Sequence, residues 1–91
     1  MRFIWDPRKA KANLRKHGVS FEEASTVFID RRGKIRFDPA HSDAEDRFIQ
    51  LGRSQKGRLL LVCHCYRGAI LRIISARKAS PEDEIDYLEE D

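Results

Sequence analysis

The apolar residues of this chain change their spacing at Asp30–Gly33, and that change decides the fold class. Before it they recur at helical spacing; after it they alternate as in strands. Asp6-Pro7 opens a first helix, with Asp as N-cap and Pro in the first helical position. The helix runs to about His17, where Gly18 stops it as a left-handed cap. Trp5, Ala10 and Leu14 lie on one side, with His17 at the edge of that side; Arg8, Lys9, Lys11 and Arg15 lie on the other. Ser20-Phe-Glu-Glu23 reads as a capping box, and Phe21, Ala24, Val27 and Phe28 give the second helix its apolar stripe. The short link Gly18-Val19 folds the two helices into a hairpin. Strands follow at Lys34–Phe37, Arg47–Ser54, Arg58–Tyr66 and Ala69–Ala76. They are separated by Asp38-Pro39 with the polar loop His41–Asp46, by Gln55–Gly57 and by Arg67-Gly68. Ser80-Pro81 opens a last helix whose apolar positions are Ile85 and Leu88, with Tyr87 alongside; Arg2–Ile4 is a candidate extra strand. The expected fold is α+β: an N-terminal helical hairpin, an antiparallel sheet of about four strands and a C-terminal helix, with helices against one face.

Ninety-one residues suit one domain, residues 1–91, with a modest core. The longest apolar run, Leu59–Cys63, is far short of the ~20 residues a membrane span needs. The start Met-Arg-Phe-Ile-Trp-Asp-Pro has no secretory pattern, so a cytoplasmic protein is expected. Charge is segregated along the chain. All eighteen Lys and Arg residues precede Ala79, against eight acids in the same stretch, a net of +10. The remaining seven acids lie between Glu82 and Asp91. A body so basic attracts polyanions, and nucleic acid is the commonest of them. The acidic end either balances the body for solubility or lies beside it as an internal counter-charge. Cys63-His64-Cys65 invites a zinc reading, but a structural site wants four ligands with wider spacing, and two thiols on one strand face is the simpler account. No metal and no cofactor is expected.

Longer motifs carry a resemblance. Phe3-Ile-Trp-Asp-Pro7 is followed by Asn13-Leu-Arg-Lys-His-Gly-Val-Ser-Phe-Glu-Glu-Ala24. Then come His41-Ser42, Asp46-Arg-Phe-Ile49 with Gly52, Arg58-Leu-Leu-Leu-Val62 with His64, and Arg72-Ile-Ile-Ser-Ala-Arg77. In that order they resemble the BrnT family of toxins from bacterial type II toxin–antitoxin systems. The resemblance implies a RelE-like ribonuclease fold and RNA cleavage that inhibits translation. It also implies neutralisation, in a hetero-oligomer, by a BrnA-type ribbon–helix–helix antitoxin, through which the pair binds operator DNA and represses its own operon. The segment after the last motif is often more basic in that family; here it is the acidic stretch from Ser80 to Asp91.

A nuclease without a metal cluster can use the RNA 2′-hydroxyl as nucleophile. It then needs a base, an acid and cations that stabilise the phosphorane. Arg72 and Arg77 are the first candidates for the cations, with Ser75 between them, although a regular strand would send Arg72 to one face and Ser75 and Arg77 to the other. A bulge would reconcile them. The plain alternative is that one of the two is a surface charge. His64 is a candidate acid or base, set against the commoner reading of a hydrogen-bonded core histidine. Lys16 and His17, at a helix C-terminus, are capping residues or RNA contacts. Arg47 is a phosphate clamp or half of a surface ion pair, and Arg53, on the same strand face, is a further substrate contact. His41 is read as uninvolved. A non-catalytic module that binds the antitoxin and acts as co-repressor is the alternative to an endoribonuclease.

Overall fold

The computed structural model describes residues 1–89; Glu90 and Asp91, the last two acids of the tail, lie outside the described residues. The chain forms β1 (Arg2–Ile4), α1 (Pro7–His17) and α2 (Phe21–Ser25), which runs on into a 3-10 turn over Thr26–Ile29. Then come β2 (Lys34–Phe37), a short turn Pro39–His41, β3 (Phe48–Arg53), β4 (Leu59–Arg67), β5 (Ile70–Lys78) and α3 (Pro81–Leu88). The sheet has the order β1-β5-β4-β3-β2. It is mixed, with five strands rather than about four: β2 to β5 form the antiparallel meander, and β1 joins β5 in parallel, Arg2 opposite Ile70 and Ile4 opposite Arg72. Arg2–Ile4 is thus the candidate extra strand of the sequence, and its parallel partner is what three residues could not reveal.

Caps set the helix ends. Asp6 accepts the Arg8 backbone N–H at 2.8 Å, and Gly18 sits at φ 68° with its N–H on the Leu14 carbonyl at 2.9 Å. Ser20 caps α2 by accepting the Glu23 N–H at 3.0 Å, but the expected capping box is only half formed. The Glu23 carboxylate turns inward instead. It accepts from Ser54 Oγ at 2.8 Å and Arg58 Nε at 2.9 Å, and it pairs with Arg58 Nη2. The Arg58 hydrogen bond outweighs burial and holds the Glu23 carboxyl below its usual range. The reciprocal box appears at Ser80 and Asp83, where α3 begins.

The two sheet faces bury different things. Val19, Phe21, Ala24 and Val27 pack with Leu60, Val62, Leu71, Ile73 and Ala76 on one face. Leu51, Leu59 and Leu61 pack with Tyr87 of α3 on the other. The helices therefore lie on both faces, not one. The inward set Leu71, Ile73 and Ala76 breaks the strand period, and the reason is a bulge: Cys63 pairs with Ser75 but His64 pairs with Ile73, leaving Ile74 extra.

Three expected core positions, Leu14, Ile85 and Leu88, are exposed. Leu14 is half exposed, and Asn13 beside it is buried. The Asn13 amide donates to Val19 O at 2.9 Å and Ala76 O at 2.8 Å, and its oxygen accepts the Ala76 N–H at 3.0 Å. α1 thus seals the edge of β5 beyond the end of β1. In α3, Ile85 and Leu88 are exposed, and Tyr87 anchors the helix with its hydroxyl donating to Asp30 at 2.7 Å. Lys34 Nζ donates to the last carbonyls of α3, Asp86 at 2.5 Å and Glu89 at 2.7 Å.

Candidate active site

The face that carries α3 is covered only at one end. At the other, an open cleft of about 300 Å³ has Ile49, Leu61, Cys63 and Ile74 among its lining residues. Polar groups reach it from several elements: His17 from the last turn of α1, Arg36 from β2, Asp38 and His41 from the turn that follows, Arg47 just before β3, and Ser75 and Arg77 from β5. The bulge at Ile74 makes this possible. It keeps Ala76 in the core while Ser75 and Arg77 both border the cleft.

Each cation is held differently. Arg47 Nε is buried and has no hydrogen-bond partner. A buried donor of that kind is stabilised by an acceptor brought in by a ligand. Arg77 Nη1 donates to its neighbour's carbonyl, Lys78 O, at 3.1 Å and to Asp83 Oδ2 at 3.3 Å, so the acidic helix steadies it at the rim. Burial alone would raise the Asp83 pKa, but the Ser80 N–H and hydroxyl together with Arg77 bring it below the usual range. His41 Nδ1 lies 2.9 Å from Asp38 Oδ2. With Nδ1–H donating to that carboxylate, Nε2 keeps its lone pair free. Ser42 ties the loop down: its hydroxyl donates to Asp38 O at 2.5 Å and accepts the Arg47 N–H at 3.0 Å. Cys63, half-buried on the cleft floor, has its thiol pKa pushed up by desolvation despite the lowering influence of Arg47.

Of the residues expected from sequence, the cleft gathers His17, Arg47, Ser75 and Arg77. The others stand apart. His64 is fully buried on the helix side of the sheet, with Nδ1 3.1 Å from Val62 O and its ring 4.8 Å from that of Phe28. Burial lowers its pKa, and the sheet separates it from the cleft. Arg72 lies opposite Cys65, outside the cleft lining, with no carboxylate within 4 Å among the described residues. Lys16 is exposed on α1. Arg53 stacks over the Tyr87 ring at 5.3 Å and donates to Gly57 O at 3.2 Å, an α3-side role. Arg36 and Asp38 were not singled out, and His41, read from sequence as uninvolved, also lines the cleft. Their sequence signals are position around the Asp38-Pro39 break and, for His41, its place in the His41-Ser42 motif.

The Cys-His-Cys triplet cannot converge, because Cys63 faces the cleft and His64 the helix layer. Among the described residues no three His, Cys, Asp or Glu side chains are gathered so as to hold a metal ion, and both cysteines are free. No helix among them is long and apolar enough to cross a membrane.

Residues 5–83 match the family described as the ribonuclease toxin, BrnT, of type II toxin–antitoxin systems. The chain belongs to the BrnT family. Its fold is also similar to the crystal structure of the Brucella abortus ribonuclease toxin BrnT, at 28% identity and a TM-score of 0.65, over 88% of this chain and 97% of that one. No curated protein matches. BrnT proteins are ribonuclease toxins, which implies RNA as substrate and an antitoxin as partner. The BrnT match ends at Asp83, so most of α3 lies beyond it.

Proposed function

We propose that the chain is a metal-independent endoribonuclease whose active site is the basic cleft. The observation that carries this is the meeting of three guanidinium groups, Arg36, Arg47 and Arg77, with two imidazoles, His17 and His41, around one open cavity. The unpartnered Nε of Arg47 is the strongest single pointer to an anionic ligand. In this reading a scissile phosphate binds between Arg47 and Arg77, whose planar forks suit phosphate oxygens. His41, oriented by Asp38, takes the 2′-hydroxyl proton. The 2′-oxygen attacks phosphorus, the bond to the 5′-oxygen breaks, and His17 protonates that leaving oxygen. The products are a 2′,3′-cyclic phosphate and a free 5′-hydroxyl. Ser75 and Arg36 bind substrate, and Lys16 and Arg72 contact flanking phosphates. His64 and Arg53 serve the fold.

The same reading makes this a single cytoplasmic toxin domain that inhibits translation. A BrnA-type ribbon–helix–helix antitoxin neutralises it, and the pair binds operator DNA to repress their operon. The deciding experiment incubates purified protein with RNA in EDTA and analyses the ends. Cleavage with cyclic phosphate ends is expected. Activity that disappears in chelator and returns with zinc or magnesium overturns the mechanism, and absence of cleavage under both conditions favours the co-repressor alternative.

A further inference from the structure

β2 is the last strand of the sheet, and its outer edge carries no partner strand among the described residues. The pairing with β3 shows which backbone groups are free. Asp38 N–H donates to Arg47 O at 2.8 Å, so those two residues form a hydrogen-bonded pair. Such pairs alternate in an antiparallel ladder. Arg36 and Lys34 therefore also bond inward, to Ile49 and Leu51, while the N–H and C=O groups of Ile35 and Phe37 point outward. Ile35 and Phe37 also carry their side chains on the helix-side face, where they are 53% and 48% exposed. Phe37 continues ring to ring into Phe48 at 5.8 Å, and Phe48 into Tyr66 at 5.7 Å. Tyr66 is itself 44% exposed. This is an apolar strip joined to an unpaired strand edge, the combination that ordinary monomers avoid.

The exposed charge where the strip begins is positive, whereas on the α3 side Arg36 shares a hollow with Glu82, Asp83, Asp86 and Glu89. Arg31 and Arg32 are exposed on the turn leading into β2, and Arg36 projects from the same strand on the cleft side. None of the three has a carboxylate within 4 Å among the described residues. Lys34 is committed to the end of α3.

We propose that the edge of β2 is the docking site of the antitoxin: one extended segment of that protein adds to the sheet beside β2 as a sixth strand. Its outward alternation is set by the edge it meets. Side chains on one face are apolar and cover Ile35 and Phe37; those on the other are acidic and reach Arg36, with further acids at the end beside Arg31 and Arg32. Main-chain bonds to Ile35 and Phe37 supply affinity, and the alternating side chains supply specificity. Because Arg36 borders the cleft, the same strand sets a carboxylate at its mouth, in competition with RNA phosphate. The inference rests on the type II toxin reading of the chain.

The test uses the full chain and, as probe, the product of the reading frame adjacent to its gene. Hydrogen exchange of the purified complex is expected to show the Ile35 and Phe37 amides slowed by at least an order of magnitude relative to the free chain. Ile35→Glu, at an exposed position, should weaken binding roughly tenfold or more by forcing a carboxylate against the apolar face of the incoming strand. Leu14→Glu, on the exposed face of α1, should leave binding unchanged. Protection confined to the α1–α2 side, or full affinity in Ile35→Glu, overturns the docking site while leaving the toxin reading intact. A neighbouring product that does not bind the wild-type chain at all removes the antitoxin reading and the docking site together. If Ile35→Glu proves unfolded, the exchange pattern of the wild-type complex decides alone.

Discussion

Arg47 and Arg77 sit in one cleft but stand differently toward the fold. Arg47 Nε is buried without an acceptor, so truncating it removes an unsatisfied donor. Arg77 pairs with Asp83 at the surface, where an ion pair contributes about 0–1 kcal/mol. Arg47→Ala and Arg77→Ala should therefore melt near the wild-type temperature, yet each should cleave RNA about two to three decades more slowly, as expected on losing one electrostatic donor. A variant that melts early would mark that arginine as structural. His64 follows a different logic. Burial lowers its folded pKa below the ordinary 6.5, so the unfolded chain binds its proton more readily. Its contribution to stability is intact above about pH 6.5 and falls as pH drops below that value, until the folded pKa is reached. Melting temperatures measured from about pH 7 to pH 5 should drop less steeply in His64→Leu than in wild type. The sequence suggested both outcomes for this residue, since parity alone says that His64 shares a face with Leu60 and Val62, not whether that face is a core or a site. Arg36 was illegible because a lone arginine in a short exposed strand looks like any other charge.

At the scale of elements, the bulge in β5 is what joins core and cleft. It was foreseen as one way to bring Arg72 onto the face of Ser75 and Arg77, and it does so, since the three pair with Cys65, Cys63 and Leu61 of β4. Ser75 and Arg77 line the cleft, while Arg72 lies beyond its lining. The edge of β5 at Ala76 is then closed by a side chain, Asn13, with two hydrogen bonds to Ala76 and a third to Val19 O. Helical spacing favoured Leu14 for burial because hydrophobicity was the only guide. The competing requirement, backbone groups of β5 left open where β1 ends, is a property of tertiary arrangement. Asn13→Ala leaves those buried groups without partners and should destabilise the chain by about 1–3 kcal/mol, read as a lower denaturant midpoint with unchanged slope. Helices, caps and the meander were legible because each depends on local chemistry: Pro7, Gly18 and Ser80 act where they stand. The parallel pairing of β1 and the second helical face were not, since the first depends on a strand some seventy positions away and the second on Tyr87 meeting Leu51, Leu59 and Leu61 across the sheet.

For the molecule as a whole, charge segregation becomes an arrangement in space. The acidic α3 lies on the same sheet face as the cleft, tied to it by Asp83 and Arg77. RNA binding through the basic surface should be strongly salt-dependent. With about four phosphates neutralised, log K against log[salt] should fall with a slope of about −0.7 per contact, measured by titration of a labelled single strand. An affinity that stays level as salt rises would count against phosphate contacts. The parallel pairing of β1 with β5 has a further consequence, in time rather than energy. Arg2–Ile4 is made early, but its partner strand Ile70–Lys78 emerges almost seventy residues later, and Asn13 waits as long for Ala76. At about 5–20 residues per second, that interval is several seconds. The cleft shares the delay, because His17 is synthesised near the beginning and Arg77 near the end. A chain still growing on its ribosome thus has neither a closed sheet nor an assembled cleft, so on the function proposed above it cannot cleave RNA until its own translation is nearly done.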